Sequence, residues 1–386
     1  MFEGAFFIQL KMLKGDNMDA DEHGRKEKIK IRVKKKKPFN LQAKSLIIGC
    51  LLILMVVFAG YFAYEILTSK PAEEWQEVSA KAGSYIQLPK DDAPHNTPME
   101  WWYYNGHLKT ASGKEYSFHY TVFLVNGLSR HSVSHVSLGD HQLQKSYTTQ
   151  KRTAGGGSDS GSQNSFLFNH SGWLMSGNNG ADQLKVNSDL FDFDLKLETS
   201  RPPILHGNSG IINMKNAGDS YYYSRSHLNV SGALKIHGNT ETVTGTAWFD
   251  HQWGDFRTTS VTWNWFSLML DDGTDIMIYQ FYDNTGKQLM NTGTLTKDSV
   301  TDILPDTGIH LIPLETWTSK SSGLIYPVLW KLELPTKNIN LTTKAMANNS
   351  EFDARLTTYN IYWEGAVSVK GSQTGKGFVE MNKFKH

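Results

Sequence analysis

A single cysteine, Cys50, occurs in the 386 residues, and it lies inside an apolar run. Beyond it the chain can form no internal disulfide and presents no thiol nucleophile, so that region must be stabilised by packing. No phosphate-cradling loop or dinucleotide-binding glycine pattern follows a strand-like segment, and the only basic cluster, Lys34-Lys35-Lys36-Lys37, abuts the apolar run. These absences argue against nucleotide chemistry and against nucleic acid as a partner. The Gly-x-Ser-x-Gly elbow is also missing, which counts against a serine hydrolase of the common α/β type. His95, His107, His119 and His131 recur every twelve residues. That interval suits hairpins better than zinc ligands, so no metal and no other cofactor is expected.

Charge is unevenly spread. Lys and Arg outnumber Asp and Glu 12 to 6 in residues 1–44 and are outnumbered 27 to 32 afterwards. Residues 46–64 carry no charge over 19 positions, enough at ~1.5 Å per residue to cross a ~30 Å hydrocarbon layer. The pattern predicts a basic, disordered cytoplasmic head over 1–44, a transmembrane helix over 45–67 and a linker over 68–89. By the positive-inside rule the protein then sits in the cell membrane, single-pass, with its N-terminus cytoplasmic and the rest extracytoplasmic. A cleaved signal peptide is the rival reading, although the run is long for one and no clear small-residue cleavage site follows. Ile47-Ile48-Gly49-Cys50 superficially resembles a lipoprotein box, but the apolar run continues past the cysteine, where such a box should end.

All 11 tryptophans lie between Trp75 and Trp363, so the core is carried by roughly 310 residues, enough for two domains. Turn pairs recur at Ser112-Gly113, Asn126-Gly127, Ser171-Gly172, Asp272-Gly273 and Thr285-Gly286, separating short alternating segments such as 116–123 and 276–282. Such spacing predicts an all-β chain of antiparallel strands, with residues 154–165 as a flexible loop. A weak internal repeat lays Trp101-Trp102-Tyr103-Tyr104, the Gly113 turn and the strand with His119 on Trp263-Asn264-Trp265-Phe266, the Gly273 turn and the strand with Tyr279. Segment 223–230 likewise parallels 326–334. Two tandem antiparallel β-barrels, over 90–257 and 258–386, would remove the edges that so many strands otherwise expose.

Two stretches concentrate chemistry. Trp248-Phe249-Asp250-His251-Gln252-Trp253-Gly254 sets a carboxylate and an imidazole among indoles, and Glu100-Trp101-Trp102-Tyr103-Tyr104 places an acid before four rings. Groups of this kind can move a proton beside an aromatic wall, and they are costly to bury unless each polar group is partnered. The bland alternative makes Asp250 and His251 a hydrogen-bonded corner at the barrel junction and Glu100 a structural acid, with Trp101, Trp102 and Trp265 as ordinary core. Glu364, between Trp363 and Gly365, reads as structural.

Taken in order, Pro94-His95, Glu100-Trp101-Trp102-Tyr103, Gly245-Thr246-Ala247-Trp248 through Gly254, Trp263-Asn264-Trp265-Phe266, Tyr362-Trp363-Glu364-Gly365 and Gly377-Phe378-Val379-Glu380 resemble the carotenoid 1,2-hydratase (hydroxyneurosporene synthase) and lipocalin-like secreted-hydrolase superfamily. The resemblance spans about residues 90 to 382 and implies two lipocalin-like β domains. It further implies hydration of an isolated carbon–carbon double bond on a long isoprenoid. It also implies an aspartate just after Tyr279, where this chain has Gln280 and Phe281, with Asp283 only beyond Tyr282.

Adding water to an unactivated alkene needs an acid strong enough to protonate carbon and no cofactor. A carboxylic acid kept neutral by apolar burial can supply the proton, and aromatic faces can stabilise the cation by ~0.5 to 2 kcal/mol each. Asp250, or Glu100, is the candidate acid, and His251 the group that positions water or returns the proton. Trp101, Trp102, Tyr103, His119, Trp248, Trp253, Trp265 and Tyr279 are the candidate ligand-binding residues, for an elongated apolar molecule such as an isoprenoid, carotenoid or other lipid. The competing functions are a noncatalytic lipid-binding or cell-envelope protein, which Gln280 favours, and a secreted hydrolase.

Overall fold

The computed structural model describes residues 55–56 and 85–382 apart from 128–129, 155–163, 208, 257–260 and 284. Twelve strands form a first sheet: β1 (Met99–Thr110), β2 (Glu115–Asn126), β3 (Arg130–Asp140), β4 (Lys145–Ala154), β5 (Phe166–His170), β6 (Trp173–Asn178), β7 (Ala181–Asn187), β8 (Phe191–Glu198), β9 (Ile204–Leu205), β10 (Ile211–Asn213), β11 (Gly218–Ile236) and β12 (Asn239–Phe256). Ten more form a second: β13 (Val261–Leu270), β14 (Asp275–Asp283), β15 (Gln288–Lys297), β16 (Val300–Leu304), β17 (His310–Thr318), β18 (Ile325–Leu334), β19 (Ile339–Ala345), β20 (Glu351–Asp353), β21 (Ile361–Gly371) and β22 (Gly375–Asn382). From residue 85 onward the described residues are all-β apart from short 3-10 turns, as the alternation of rings and β-branched residues requires.

The first sheet runs β4-β3-β2-β1-β12-β11-β8-β7-β6-β5 and nearly closes on itself. Lys151 Nζ on β4 donates to the carbonyls of His170 and Ser171 at 3.1 and 3.0 Å, so the two end strands meet. The second sheet runs β16-β15-β14-β13-β22-β21-β19-β18-β17 and makes a half-barrel. In each sheet the first strand pairs with both the second and the last, so β1 and β2 correspond to β13 and β14, as the aromatic repeat implies. The second half of the repeat does not map. Segment 223–230 lies on β11, whose counterpart is β21, whereas 326–334 lies on β18. Both segments are simply strand-like in composition.

Successive side chains alternate across a strand, and here they feed three apolar clusters. Trp102, Tyr104 and Phe249 fill the inside of the first sheet, and Phe266, Trp330 and Trp363 the inside of the second. Trp101, Tyr103, Trp248, Trp265 and Tyr279 form a third cluster between the sheets. At Ser171-Gly172 both residues have positive φ, 52° and 88°, the geometry of a type I′ hairpin, which glycine makes accessible. The first barrel is plugged by the turn at Lys90–Asp92. There Asp92 accepts from Arg225 Nη2 at 2.8 and 3.0 Å and from the Asn179 amide at 2.7 Å, while its carbonyl accepts from Trp102 Nε1 at 3.1 Å. A register shift in β11 between Arg225 and Leu228 turns Ser226 and His227 toward the second sheet, where they hold Asp275 at 2.6 and 2.8 Å.

The membrane placement is corrected. Among the described residues no helix is long and apolar enough to cross a membrane, which takes about 20 apolar residues. Apart from Met55 and Val56, the described helices are 3-10 turns of three residues. The head over 1–44, the rest of the 45–67 segment, most of the 68–89 linker and most of the 154–165 loop lie outside the described residues.

Candidate active site

Asp250 and His251 are neighbours in sequence and face opposite sides of β12. The register sets Tyr103 beside Asp250 and Trp102 beside His251, and the period of two sends the first pair to the gap between the sheets and the second into the first barrel. The expected Asp250–His251 pair therefore does not exist as a unit.

A cavity of about 680 Å³ lies between the sheets. Its walls include Trp101, Tyr103 and Phe123 from the first sheet and Trp263, Trp265 and Tyr279 from the second, with Arg152, Arg355 and Tyr359 also lining it. Three carboxyl groups reach it: Asp250, Glu364 and Glu380. Asp250 accepts from Trp248 Nε1 at 2.6 Å, from Tyr222 OH at 2.8 Å and from Ser224 Oγ. Burial pushes its carboxyl up to about 7, against the pull of those three donors. Glu364 and Glu380 stand directly opposite each other on β21 and β22. Burial pushes Glu380 up to about 8, against its hydrogen bond from Trp263 Nε1 at 3.3 Å. Glu364 is raised well above the ordinary carboxyl range by burial and then by Glu380, although Tyr103 OH donates to it at 2.7 Å. Adjacent carboxylates in a dry site cannot both ionise readily, so the pair holds its protons near neutral pH.

The other face holds a different cluster. His95 Nδ1 and His251 Nε2 each lie 2.7 Å from the same oxygen of Glu100, Oε1. Burial would raise Glu100, but the charge of His95 and the hydrogen bonds of both imidazoles outweigh it and hold the carboxyl below its usual range. Burial would lower His95, yet Glu100 and Asp91 carry it to about 9. His251 is lowered by burial, in spite of Glu100. These three residues also have the composition of a metal site, but two imidazole nitrogens converging at 2.7 Å on one oxygen have the spacing of hydrogen bonds. Trp253 stacks on His95 at 4.0 Å and Trp102 on His251 at 4.4 Å.

Of the residues anticipated from sequence, Asp250, Trp101, Tyr103, Trp265 and Tyr279 line the cavity. Trp248 stands behind Asp250 as its donor. Glu100, His251, Trp102 and Trp253 point into the first barrel. His119 is buried behind the cavity wall, bonded to Ser137 Oγ at 2.9 Å and 5.9 Å from the Tyr103 ring. Gln280 points away from Tyr279, toward Asn264, Tyr282 and Gln288, and Asp283 caps the following turn. An acid at 280 would not face the cavity, whereas Phe281 shares the face of Tyr279 and joins the cluster between the sheets. The sequence points to Glu364 as structural and gives Glu380 no role of its own, so the acid pair is not anticipated. Glu364 and Glu380 stand out only as charged residues inside apolar strand segments, and their convergence depends on a cross-strand register.

An AttH-like family model matches residues 79–383, and the chain belongs to that family. It is 26% identical to an AttH protein of known structure from Nitrosomonas europaea, with TM-score 0.72 over 79% of this chain and 99% of that one. A kievitone hydratase structure from Nectria haematococca has the same fold at 15% identity, with TM-score 0.65 over 82% of this chain and 97% of that one. By sequence the chain is 20% identical over 215 residues to the kievitone hydratase of Fusarium solani subsp. phaseoli, covering 53% of this chain and 59% of the relative. It is 22% identical over 205 residues to the dehydratase asqC of Emericella nidulans, covering 49% and 57%. The chain thus spans less than two thirds of the length of these curated relatives.

Proposed function

From AttH-like membership and the acids between the sheets, we propose that this protein is a hydro-lyase acting on a carbon–carbon double bond of a largely apolar molecule. The two sheets then serve as tandem lipocalin-like barrels that enclose the substrate. What carries this reading is the convergence of three buried, proton-holding carboxyl groups on one aromatic-walled cavity. The names of the relatives, a hydratase and a dehydratase, support the same reaction read in its two directions.

In the hydration direction a neutral carboxyl of Asp250 protonates carbon, and the electron pair of the double bond forms the new C–H bond. The resulting cation lies against the faces of Trp101, Trp265 and Tyr279, where each favourable contact is worth ~0.5 to 2 kcal/mol. Water held by the Glu364–Glu380 pair attacks the cation and passes its proton to the carboxylate that Asp250 has become, which acts as general base and recovers its proton. One proton enters the substrate from an acid and one returns to an acid, so no cofactor is consumed. A cavity of about 680 Å³ is in the ~300 to 1,000 Å³ range of sites that bury a drug-sized ligand. That favours an isoprenoid or lipid segment of this size over a whole carotenoid.

The test is incubation of the full chain in H₂¹⁸O with isoprenoid alcohols, polyenes and unsaturated fatty acids. Mass spectrometry should detect an added water bearing the heavy oxygen, lost in Asp250→Asn and Glu364→Gln. Incorporation that survives both substitutions would remove the cavity acids from the reaction.

A further inference from the structure

An acid that cycles must be hydrogen-bonded both with and without its proton, and the partners of Asp250 differ in what they can offer. Trp248 Nε1 only donates. Tyr222 OH accepts from Trp265 Nε1 at 3.2 Å and donates to Asp250. Ser224 can reverse, and behind it lies His206, fully buried and packed on the Tyr222 ring at 4.1 Å. His206 Nε2 is 2.6 Å from Ser224 Oγ, and His206 Nδ1 is 2.8 Å from Thr294 Oγ1 on β15.

We propose that His206 is a positioning residue that acts on Asp250 through Ser224, its tautomer reversing with the protonation of that carboxyl. The proposal rests on the reading of Asp250 as the acid of the hydration. A neutral imidazole has one donor and one acceptor, and both of its partners here are hydroxyls, which can play either part. Burial alone lowers His206 to about 3, so it stays neutral throughout.

With Asp250 ionised, Ser224 donates to the carboxylate, His206 Nε2–H donates to Ser224, and Thr294 donates to Nδ1. With Asp250 protonated on Oδ1, that proton is donated to Ser224, Ser224 donates to Nε2, and Nδ1–H donates to Thr294. The two arrangements differ by one proton. A proton arriving at Thr294 Oγ1 and one appearing on Asp250 Oδ1 are linked by single transfers at His206 and Ser224, and no group gains a net charge except the carboxyl. The titratable groups that act on Asp250 are Tyr222 from β11, Tyr279 from β14, Glu364 from β21 and Glu380 from β22. Ser224 and Thr294, which touch His206, do not titrate.

The full chain, labelled with ¹⁵N-histidine and ¹³C-aspartate, tests this without a substrate. Across the titration of the Asp250 carboxyl carbon, the His206 Nδ1 and Nε2 resonances should exchange protonated and unprotonated shifts at the same midpoint, and should stay fixed in Asp250→Asn. A His206 tautomer that stays constant while Asp250 titrates, a switch that persists in Asp250→Asn, or an Asp250 that never titrates would each overturn the proposal. If the switch occurs but Asp250→Asn still turns over, the coupling stands and the catalytic reading of Asp250 falls. If Asp250→Asn abolishes turnover while His206 never switches, only the coupling falls.

Discussion

Replacing Glu100 by Gln separates the two polar clusters on either side of β12. Gln keeps an oxygen for His95 Nδ1 and His251 Nε2 but loses the charge that holds the His95 proton. His95 stands at about 9 against an ordinary 6.5. At ~1.4 kcal/mol per unit this amounts to at most ~3.5 kcal/mol, of which Asp91 supplies a part, and solvent screening of a side chain still 22% exposed trims the Glu100 share to about 2 kcal/mol. Because the folded chain keeps a proton that the unfolded chain releases, this stabilisation is complete below pH 6.5 and is lost as pH rises through 9. The same pair seen from Glu100, whose carboxyl is held below 4.5, is also lost under more acid conditions, so it stabilises only in the window between the two titrations. The raised carboxyls of Asp250 and Glu380 also cost stability as pH rises, but they are common to both proteins and cancel in the difference. Melting of wild type and Glu100→Gln at pH 6 should therefore differ by about 4–8 °C, at ~2–4 °C per kcal/mol, and converge by pH 10. Turnover should be retained, since Glu100 does not line the cavity. A melting difference independent of pH, or loss of turnover with unchanged melting, would refute this reasoning.

Arg225→Met leaves Asp92 charged and fully buried beneath the first barrel, so thermal or urea unfolding should show a loss of ~3–5 kcal/mol. Gly106→Ala places a methyl 2.6 Å from Phe118 Cε1 and 2.8 Å from the Thr246 carbonyl, and the same assay should show ~1–3 kcal/mol of overpacking. With Asp250 near 7 and Glu380 near 8, the hydration rate should fall as pH rises through that window. A rate that climbs over the same range would mean that the ionised carboxyls do the rate-limiting work.

The strand content was legible because rings and β-branched residues alternate between glycine turns, and the order β1, β2 and β13, β14 was legible because the same aromatic run opens both sheets. Asp250 was identifiable as an acid among indoles. Its separation from His251 was equally implicit, since neighbouring residues on a strand face opposite ways, but a compact motif invites the reading that its members act together. Glu364 and Glu380 could not be found in this way. They lie 16 positions apart and meet only through the β21–β22 register, and the His206–Ser224–Asp250 chain likewise joins β11 and β12 to the residue that follows β9. Such convergences are fixed by pairing, which is not written locally in any segment.

The most direct measurement compares Asp250→Asn with His251→Gln on the substrate that takes up ¹⁸O, with stability followed in parallel. Removing the cavity acid should lower kcat by ~10²–10⁴-fold and leave the fold intact. Removing the imidazole on the other face should cost stability and leave kcat per folded molecule unchanged. Full activity in Asp250→Asn, or a folded but inactive His251→Gln, would contradict the placement of the chemistry between the sheets.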